Sequence, residues 1–497
     1  MNGFKFGPFD ENPLVFDKAF VGGKWVDSLC GDTFEVINPA NGEVLGSVPD
    51  MDEVDTLEAI ERAHRAQREW GESTLKERSG LLRKLFGLVA TNTDHLTQLV
   101  TLEGGKPLSD SRGEIVKANV FHEWYSEEAK RVGGECMLGV QKKDSQLLFL
   151  RQPIGIAALI TPWNAPLQMI SRKAAAALAA GCCVIVKPAE DTPLSALALA
   201  HLINLAGFPP GVFNVVTCSR DKMRRVSGVL CDSPLVRKLS FTGSTVAGKW
   251  LYERCSQTVK KLSLELGGNA AFIVFESADL EKAVQACTDS KFRNGGQTCI
   301  CANRILVQDS IYDQFCQKLE EKVKNIKMGP PINSKNSQGP LINKRAVGKV
   351  SRHVDDAIAR GGVLKIGGKV DRSLGPLYFE PTLITEVPSD ALVHREETFG
   401  PLAAITRFIF EEEAIQIANS VQAGLASYVF TRNYGQAHRL SKAIEVGMLG
   451  INEISITPEQ APFGGIKESG LGREGSVHGI EEYQEIKYLN FNMAAFL

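Results

Sequence analysis

A long hydrophobic run and an excess of positive charge are both missing from the sequence. No stretch reaches the roughly 18 consecutive apolar residues of a membrane span. Residues 158–170, the nearest candidate, are interrupted by two prolines and by Asn164. Lys and Arg number 56 against 58 for Asp and Glu, a net charge of −2. Because nucleic acids and anionic membranes favour clustered Lys and Arg, the composition predicts neither as a partner.

Regular cysteine spacing is also missing. The 11 cysteines form no framework, and their odd number leaves at least one unpaired within the chain. The first twenty residues contain Asp and Glu, no Arg and no apolar core, unlike a transit peptide or a secretory signal. We therefore expect a reducing compartment, either the cytoplasm or the mitochondrial matrix, with mostly buried thiols.

Metal-binding patterns are absent as well. Cys299 and Cys301 form a single Cys-x-Cys pair, whereas structural zinc sites use two Cys-x-x-Cys pairs or a cysteine pair with a spaced histidine pair. The 8 histidines show no such spacing. The sequence therefore predicts no metal site.

A regular alternation of strand and helix patterns occupies most of the 497 residues. This length exceeds what one hydrophobic core supports, so two or more domains are expected. Residues 50–133 have helical periodicity, strands alternate with helices from residue 146, and a second alternating series runs over 269–431. The alternation predicts parallel βαβ units in two doubly wound α/β domains, joined near residues 264–268.

Two segments of the first series are candidate phosphate-binding loops. Residues 243–250 (GSTVAGKW) follow a strand and open a helix, whose N–H groups and dipole favour an anion. Trp250 stands where a triphosphate-binding loop needs Ser or Thr for Mg²⁺, which disfavours triphosphate hydrolysis. A glycine-started helix without a ligand is the alternative.

The second candidate is the segment VIVKPAED, in which Lys187 and Glu190 follow a buried strand. Ligands of open α/β sheets bind at the carboxyl ends of strands, where Lys187 would meet a phosphate or hydroxyl and Glu190 ribose hydroxyls. A solvated Lys/Glu pair is the alternative. The two candidates in successive βα units together predict a bound dinucleotide.

Cys299 and Cys301 lie in FRNGGQTCICANRI, between glycine, amide and hydroxyl residues. A disulfide across two residues forces a strained, easily reduced ring; two inert buried thiols are another alternative. An accessible glycine-rich loop favours a thiolate nucleophile, which needs a general base. Glu265, a lone acid in LELGG, is the candidate, because a buried unpaired carboxyl has a raised pKa. The alternative for Glu265 is a structural role at the junction of the two domains, with its carboxylate bound to backbone amides.

Seven motifs, in order, resemble the aldehyde dehydrogenase superfamily along almost the whole chain. They are TPWN (161–164), KPAE (187–190), FTGST (241–245), LELGG (264–268), GQTC (296–299), EETFGP (396–401) and PFGGIKESGLGREG (462–475). Within the superfamily, the segments KFRNGGQTCICANR, QGPLIN and GREGSVHGIEEY are most similar to those of the succinate-semialdehyde dehydrogenase subfamily.

The resemblance implies an α/β fold of the aldehyde dehydrogenase type, with two doubly wound domains and a small β oligomerisation segment. The implied ranges are 1–130 and 150–264 for the Rossmann-like NAD-binding domain, 265–477 for the catalytic domain, and 131–149 with 478–497 for oligomerisation. A homo-oligomer, either a dimer or a tetramer, is expected.

The same resemblance implies the catalytic roles. Cys299 is the expected nucleophile that attacks an aldehyde carbonyl. Asn164 and the backbone N–H of Cys299 form the expected oxyanion hole for the thiohemiacetal, and Glu265 is the base that activates cysteine or water. A hydride passes to the nicotinamide and leaves a thioester, which water hydrolyses.

NAD is the implied cofactor, and it binds in this superfamily without a Gly-x-Gly-x-x-Gly motif. Glu190 would repel a 2′-phosphate, so NAD is expected over NADP. The expected cofactor-binding residues are Trp163, Lys187, Pro188, Ala189, Glu190, Gly243, Ser244, Thr245, Gly248, Glu397 and Phe399.

Arg172 and Arg293 match the two arginines that hold the distal carboxylate of the substrate in this subfamily. Two guanidiniums bind a carboxylate far better than a neutral tail; a surface role for each is the alternative. Thr457 stands where the subfamily usually has serine, and its added methyl narrows the pocket. We therefore expect a small semialdehyde substrate: succinate semialdehyde, with glutarate semialdehyde or neutral aldehydes as alternatives.

Two further expectations complete the resemblance. A non-catalytic structural or binding protein on the same fold is disfavoured because Cys299, Glu265 and Asn164 are all present. Relatives of this kind can form a reversible disulfide between Cys299 and Cys301 that blocks the site under oxidation, which suits the strain of such a bond.

Overall fold

A computed structural model describes residues 12–496 of the chain. Most of the N-terminal segment that was compared with targeting sequences, residues 1–11, lies outside this range. The strands are β1 (Ala19–Val21), β2 (Lys24–Val26), β3 (Thr33–Ile37), β4 (Val44–Pro49), β5 (Glu135–Leu138), β6 (Ser145–Pro153), β7 (Ile156–Ile160), β8 (Val184–Lys187), β9 (Phe213–Val215), β10 (Val236–Thr242), β11 (Lys261–Glu265), β12 (Ala271–Val274), β13 (Arg304–Gln308), β14 (Val363–Ile366), β15 (Thr382–Thr385), β16 (Leu402–Phe408), β17 (Ala423–Gly424), β18 (Ala426–Phe430), β19 (Met448–Ile451), β20 (Ile466–Lys467), β21 (Gly470–Leu471) and β22 (Gln484–Asn492).

The α-helices alternate with these strands after an initial helical layer. They are α1 (Glu53–Glu72), α2 (Leu75–Thr91), α3 (Thr93–Gly104), α4 (Leu108–Glu128), α5 (Pro166–Ala180), α6 (Pro193–Ala206), α7 (Met223–Asp232), α8 (Thr245–Cys255), α9 (Leu280–Phe292), α10 (Tyr312–Lys324), α11 (Lys344–Ala359), α12 (Leu392–Arg395), α13 (Glu411–Asn419), α14 (Tyr434–Ala443) and α15 (Ser476–Glu481). In the part of the chain that the structure covers, no helix has the length and apolarity to cross a membrane.

The first sheet has the strand order β2-β1-β9-β8-β7-β10-β11-β21. Its five central strands, β9, β8, β7, β10 and β11, pair in parallel. The pairs β1–β2, β1–β9 and β11–β21 are antiparallel. Every residue of β7 and β8 is buried, as expected for parallel strands covered on both faces. Helix α1 packs on β7, β8 and β9, and helices α2 and α4 pack on α5.

The second sheet has the order β14-β15-β16-β13-β12-β18-β19, and only its edge strand β14 is antiparallel among the described strands. The chain passes from the first sheet to the second between Glu265, which ends β11, and Ala271, which begins β12. Residues 470–471 later return as β21 to pair with β11. The two doubly wound sheets confirm the fold class that the alternating pattern predicts.

A third, smaller sheet has the order β22-β6-β5. It lies in the segments expected to mediate oligomerisation, 131–149 and 478–497, except that β6 continues to Pro153. All nine residues of β22 pair with β6. Every residue of β5 is exposed, and Leu138 has 73% of its surface accessible. Apolar side chains of this sheet are therefore exposed on the surface of the monomer.

Candidate active site

The carboxyl ends of three neighbouring strands open on one cleft. From β7 the chain moves outward through β8 and β9, then returns to place β10 and β11 on the other side of β7. A crevice forms where the strand order reverses in this way. Trp163 and Asn164 follow β7, Gly243 and Ser244 follow β10, and Glu265 ends β11. All five residues line a cleft of about 520 Å³.

Cys299 reaches this cleft through a left-handed turn after α9. Asn294, Gly295 and Gly296 have φ angles of 51°, 59° and 73°, a conformation that glycine and asparagine tolerate best. A Cβ on Gly296 would also lie 2.2 Å from a neighbouring carbonyl oxygen. On the far side, a Cβ on Gly268 would lie 2.3 Å from the carbonyl oxygen of Cys299. Gly296 and Gly268 therefore have to be glycine for Cys299 to reach the cleft at the end of the first sheet.

The half-buried Cys299 thiol is part of the cleft wall. Burial raises its pKa to about 12, and the neighbouring Glu397 carboxyl raises it further toward that value. The thiol is therefore protonated at neutral pH. Because only the thiolate is a strong nucleophile, attack on a carbonyl carbon requires a nearby base.

The Asn164 side chain is fixed beside this thiol. Its Nδ2 donates to the carbonyl oxygen of Gln297 (3.0 Å), which leaves its second amide hydrogen for another acceptor. Its backbone oxygen accepts from Lys106 Nζ (2.6 Å). Lys106 pairs with the buried Glu114, whose other oxygen accepts from the N–H of Leu167 (2.9 Å). Glu114 thus caps α5, which has no side-chain cap of its own.

Glu265 has both carboxyl oxygens buried and without a hydrogen bond to any residue of the described chain. Burial raises its pKa well above the usual value, and the neighbouring Glu474 raises it further. A Cβ at Gly464 would lie 3.0 Å from Oε1, so the glycine leaves room for this group. No backbone amide among residues 12–496 donates to the carboxyl, and it is free to exchange a proton.

The sequence reasoning missed the charged pair next to Glu265. Lys173 is completely buried and donates to Glu474 and to Ser240 Oγ (3.1 Å). The signal was present: Arg172 and Lys173 stand together in α5, of which nearly every residue is buried. A buried lysine needs a carboxylate partner, but nothing local in the sequence identifies Glu474 as that partner.

Several predicted cofactor residues form one face of the cleft. The rings of Trp163 and Phe399 meet edge to face, with centroids 5.5 Å apart. A Glu397 oxygen accepts from Gly268 N (3.2 Å), and burial raises the pKa of this carboxyl to about 7. Ser244 is the N-cap of α8, so the first turn of this helix points its N–H groups at the cleft.

Glu190 stands at the far end of the cleft. Its Oε1 lies 3.1 Å from Nη1 of Arg220. A further cavity of about 500 Å³ adjoins the cleft here, and the two share Glu190, Asp191 and Arg220 in their linings. Together they form an extended groove.

Five of the predicted cofactor residues do not line the cleft of the described structure. Lys187 is buried, and its Nζ donates to the carbonyl oxygen of Pro188 (3.0 Å). A Cβ on Gly248 would lie 2.3 Å from Leu266, so this glycine lets α8 pack closely on the following segment. The five residues are Lys187, Pro188, Ala189, Thr245 and Gly248.

A second cavity, of about 320 Å³, lies on the other side of Cys299 and contains the predicted substrate residues Arg172, Arg293 and Thr457. The two cavities meet at the thiol, because both are lined by Asn164, Met169, Cys299 and Phe463. Two different molecules, one in each cavity, could therefore meet at the Cys299 sulfur.

Arg172 is the buried cation of this second cavity, with 2% of its surface exposed. Its guanidinium lies between the rings of Phe121 (4.9 Å) and Phe463 (4.3 Å). Nη1 is 3.9 Å from Glu474, but Nε and Nη1 donate no hydrogen bond to any described residue. Arg293 is exposed at the wall. Buried donors without acceptors are costly, so the cavity is suited to an anion.

Cys301 lies behind the nucleophile position rather than in the cleft. The residue is buried, its Sγ donates to the Gly296 carbonyl oxygen (3.3 Å), and Lys291 Nζ lies 3.5 Å from the sulfur. All 11 cysteines are free. Over the described range, no group of three or more His, Cys, Asp or Glu side chains is placed to hold a metal ion.

Comparison with known proteins agrees with this geometry. The model of the aldehyde dehydrogenase family matches residues 25–489. A mitochondrial succinate-semialdehyde dehydrogenase of Rattus norvegicus is 50% identical over 485 residues, which cover 97% of this chain and 92% of the relative. A glutarate-semialdehyde dehydrogenase of Pseudomonas aeruginosa is 51% identical over 476 residues, covering 96% and 98%.

Among solved structures, an NADP-dependent enzyme of Escherichia coli superposes with a TM-score of 0.95 at 49% identity, covering 97% of this chain and 99% of the other. The expected fold is thereby confirmed over nearly the full length. A family match of this extent, together with relatives at half identity, is decisive: the chain belongs to the aldehyde dehydrogenase family.

Proposed function

We propose that this protein oxidises succinate semialdehyde to succinate, with NAD as the hydride acceptor. The observation that carries the proposal is the junction of two cavities at the Cys299 thiol, one suited to a dinucleotide and one containing Arg172 and Arg293. The relatives named for succinate and glutarate semialdehydes support the substrate class. Glutarate semialdehyde, one carbon longer, is the second candidate.

The proposed mechanism begins with transfer of the Cys299 proton to Glu265. The thiolate attacks the aldehyde carbon, a C–S bond forms, and the carbonyl electron pair moves to oxygen. The oxyanion accepts hydrogen bonds from Asn164 Nδ2 and from the N–H of Cys299. Loss of hydride from the thiohemiacetal carbon leaves a thioester.

Hydrolysis of the thioester uses the same base. After Glu265 has released the first proton to solvent, it takes a proton from water and the hydroxide adds to the acyl carbon. The C–S bond then breaks, the carboxylic acid ionises, and the Cys299 thiolate takes up a proton. One aldehyde, one water and one oxidised dinucleotide give one carboxylate, one reduced dinucleotide and two protons. Burial, and then Glu474 held by Lys173, raise the pKa of Glu265, which makes its carboxylate a stronger base toward the thiol and water.

The cleft residues fit a nicotinamide dinucleotide. The N-terminus of α8 offers N–H groups to a pyrophosphate, Trp163 and Phe399 supply an aromatic wall, and Glu397 and Glu190 offer carboxylates to ribose hydroxyls. When bound, NAD(P) supplies the acceptor for the hydride and its two electrons.

We propose NAD rather than NADP because the Glu190 carboxylate would repel a 2′-phosphate. Arg220 pairs with this carboxylate and weakens the repulsion, and an Escherichia coli relative is NADP-dependent. We therefore propose a preference for NAD and not an exclusion of NADP. Initial rates measured in parallel with NAD and with NADP give this preference. A higher kcat/KM with NADP would contradict it.

Substrate specificity tests the proposed function directly. We expect kcat/KM for succinate semialdehyde to exceed that for butanal by about 100-fold, because a buried guanidinium without a hydrogen bond gains a carboxylate partner. Arg172→Met and Arg293→Met should each lower the succinate semialdehyde value by about 10- to 100-fold and change the butanal value little. Reduced cofactor production is followed at 340 nm.

Methionine supplies an unbranched apolar side chain that can fill the space between Phe121 and Phe463 at position 172, and Arg293 is exposed, so both variants should fold. Arg112→Met is the matched control, because Arg112 pairs with Asp94 on the outer side of α4. Equal kcat/KM for succinate semialdehyde and butanal in the unmodified enzyme would exclude a carboxylate-binding role for both arginines.

A reversible oxidation of Cys299 with Cys301 is also proposed. The N–H of Cys301 donates to the carbonyl oxygen of Thr298 (3.1 Å), and this turn brings the two cysteines closer than an extended chain does. We expect mild peroxide to abolish activity and dithiothreitol to restore it. Cys301→Ala should stay active but lose the recovery, because Cys299 then oxidises beyond the sulfenic acid.

Cys136→Ala, at the exposed cysteine of β5, is the control and should recover like the unmodified enzyme. Full recovery of Cys301→Ala by dithiothreitol would contradict a Cys299–Cys301 disulfide.

Assembly and compartment are proposed on separate grounds. The exposed apolar residues of the β22-β6-β5 sheet, among them Met137 (49% exposed) and Leu138, support a homo-oligomer, either a dimer or a tetramer. The free cysteines support a reducing compartment, the cytoplasm or the mitochondrial matrix.

A further inference from the structure

The cavity on the substrate side contains a third cation that neither the sequence reasoning nor the proposed mechanism uses. Lys117, on α4, lines it together with Arg172 and Arg293. Residues Asp110, Gly113, Lys117 and Phe121 follow one another at three- and four-residue steps and therefore lie on one face of α4. This face forms the cavity wall and ends at the ring that packs on Arg172.

The charges of this wall do not balance. Lys106 and Glu114 pair with each other, and Asp110 faces the remaining cations while its Oδ2 accepts from Asn294 N (2.8 Å). Glu474 lies 3.9 Å from Arg172 but is already paired with the buried Lys173. In the lining of the cavity, Arg172, Arg293 and Lys117 therefore face the single carboxylate of Asp110. A tail with one carboxylate would therefore leave one positive charge without a counterion.

The Lys117 ammonium is attracted by Asp110 but forms no direct contact with a carboxylate of residues 12–496. It makes no hydrogen bond and no ion pair with any residue of the described range, and neither does the Arg293 side chain. Burial lowers the pKa of Lys117, and Arg293 and then Arg172 lower it further. The residue as a whole is exposed at the cavity mouth, but its ammonium lies close enough to both guanidiniums to be repelled by them.

The wall beside Lys117 has space for a larger group. A Cβ placed on Gly113, one helical turn earlier, would meet no atom within 4 Å among the described residues. A tail longer or bulkier than a simple carboxylate therefore enters without displacing a side chain, and its outer part lies next to the ammonium.

We propose that the same site also oxidises aldehydes whose tail carries two negative charges, more efficiently than monoanionic analogues of the same shape, and that Lys117 binds the second charge. Arg172 holds the inner anionic oxygen in the buried part of the cavity, and Lys117 with Arg293 holds the outer charge at the mouth. The two charges belong either to one phosphonate-type group or to two carboxylates. This inference rests on the proposed function, because these aldehydes would enter the same cavity and undergo the same oxidation as succinate semialdehyde.

Two matched pairs of aldehydes test the proposal. 3-Phosphonopropanal and 3-sulfopropanal have tetrahedral tails of the same size but differ by one charge at pH 8.5. 2-(2-Oxoethyl)malonate is succinate semialdehyde with a second carboxylate. We expect kcat/KM of the unmodified enzyme to favour the dianion in at least one pair, by about tenfold. The pair that shows the preference identifies which type of dianion the site binds.

Lys117→Met should abolish this preference, and Lys117→Arg should retain most of it. Arg112→Met, which removes a cation from the outer side of the same helix, should leave the ratio unchanged. A dianion-to-monoanion ratio that is equal in the unmodified enzyme and in Lys117→Met, for both pairs, would overturn the proposal even if succinate semialdehyde is oxidised well. Absence of reduced cofactor with every aldehyde would instead refute the proposed function itself.

Discussion

Replacement of Cys299 by serine is expected to lower kcat for succinate semialdehyde by about 10⁴-fold or more. The thiol lies where the two cavities meet, and in the proposed mechanism the thioester forms through a C–S bond at this sulfur. A serine hydroxyl is a far weaker nucleophile, and an ester in its place would form slowly. Because serine fits the same space, folding and dinucleotide binding should be preserved.

Steady-state rates, thermal unfolding and quenching of tryptophan fluorescence by NAD separate these effects. Trp163 lines the cofactor cleft, so bound NAD should quench the variant as it quenches the unmodified protein. Cys136→Ser, at an exposed cysteine outside both cavities, controls for general loss of a thiol. A Cys299→Ser enzyme with more than a tenth of the original kcat would exclude Cys299 as the nucleophile.

The second large effect is expected for Glu265→Gln, with kcat lowered by about 10³-fold. The carboxyl is buried, makes no hydrogen bond to any described residue and has a raised pKa. Since burial and Glu474 raise the pKa of Glu265, its basic form appears only as the pH rises through that raised value. The pH profile of the unmodified enzyme should therefore have a rising limb that the glutamine variant lacks.

A rapid-mixing experiment distinguishes the two roles of this base. If Glu265 activates only water, Glu265→Gln should still release about one reduced cofactor per site in the first turnover and then stall at the thioester. If it also deprotonates Cys299, that first turnover should itself be slow. Glu468→Gln, at an exposed carboxylate paired with Lys249, is the matched control. Unchanged kcat and an unchanged pH profile in Glu265→Gln would remove Glu265 from both roles.

Local pattern was sufficient for the elements of the fold. Strand segments such as VIVK, which are apolar up to their last residue and lie between glycine-ended helices, predict buried parallel strands, because only strands covered on both faces lack polar alternation. The carboxyl ends of such strands are the ligand edge of any open α/β sheet. The strand-end pattern made Gly243 and Ser244 recognisable as candidates, and the family resemblance added Trp163 and Asn164; all four line one cleft.

The partners of buried charges were beyond local pattern. Lys173 and Glu474 are separated by 301 positions in the chain, and Lys106 and Asn164 by 58. Sequence reasoning detects that a lysine in an apolar helix needs a partner, but the identity of that partner depends on how α5 meets the C-terminal segment. The same holds for Lys117, whose helical pattern is that of an ordinary solvated face.

The sequence by itself determined the fold class, the family resemblance and a set of candidate residues, because each rests on short-range spacing and residue chemistry. Only the tertiary structure decided that Cys299 stands between two cavities, that Glu265 has no hydrogen-bond partner in the described chain, and that three cations face one carboxylate at the substrate end. The reason is physical. Burial, hydrogen bonding and charge balance depend on distances between groups far apart in the chain, and packing alone fixes those distances.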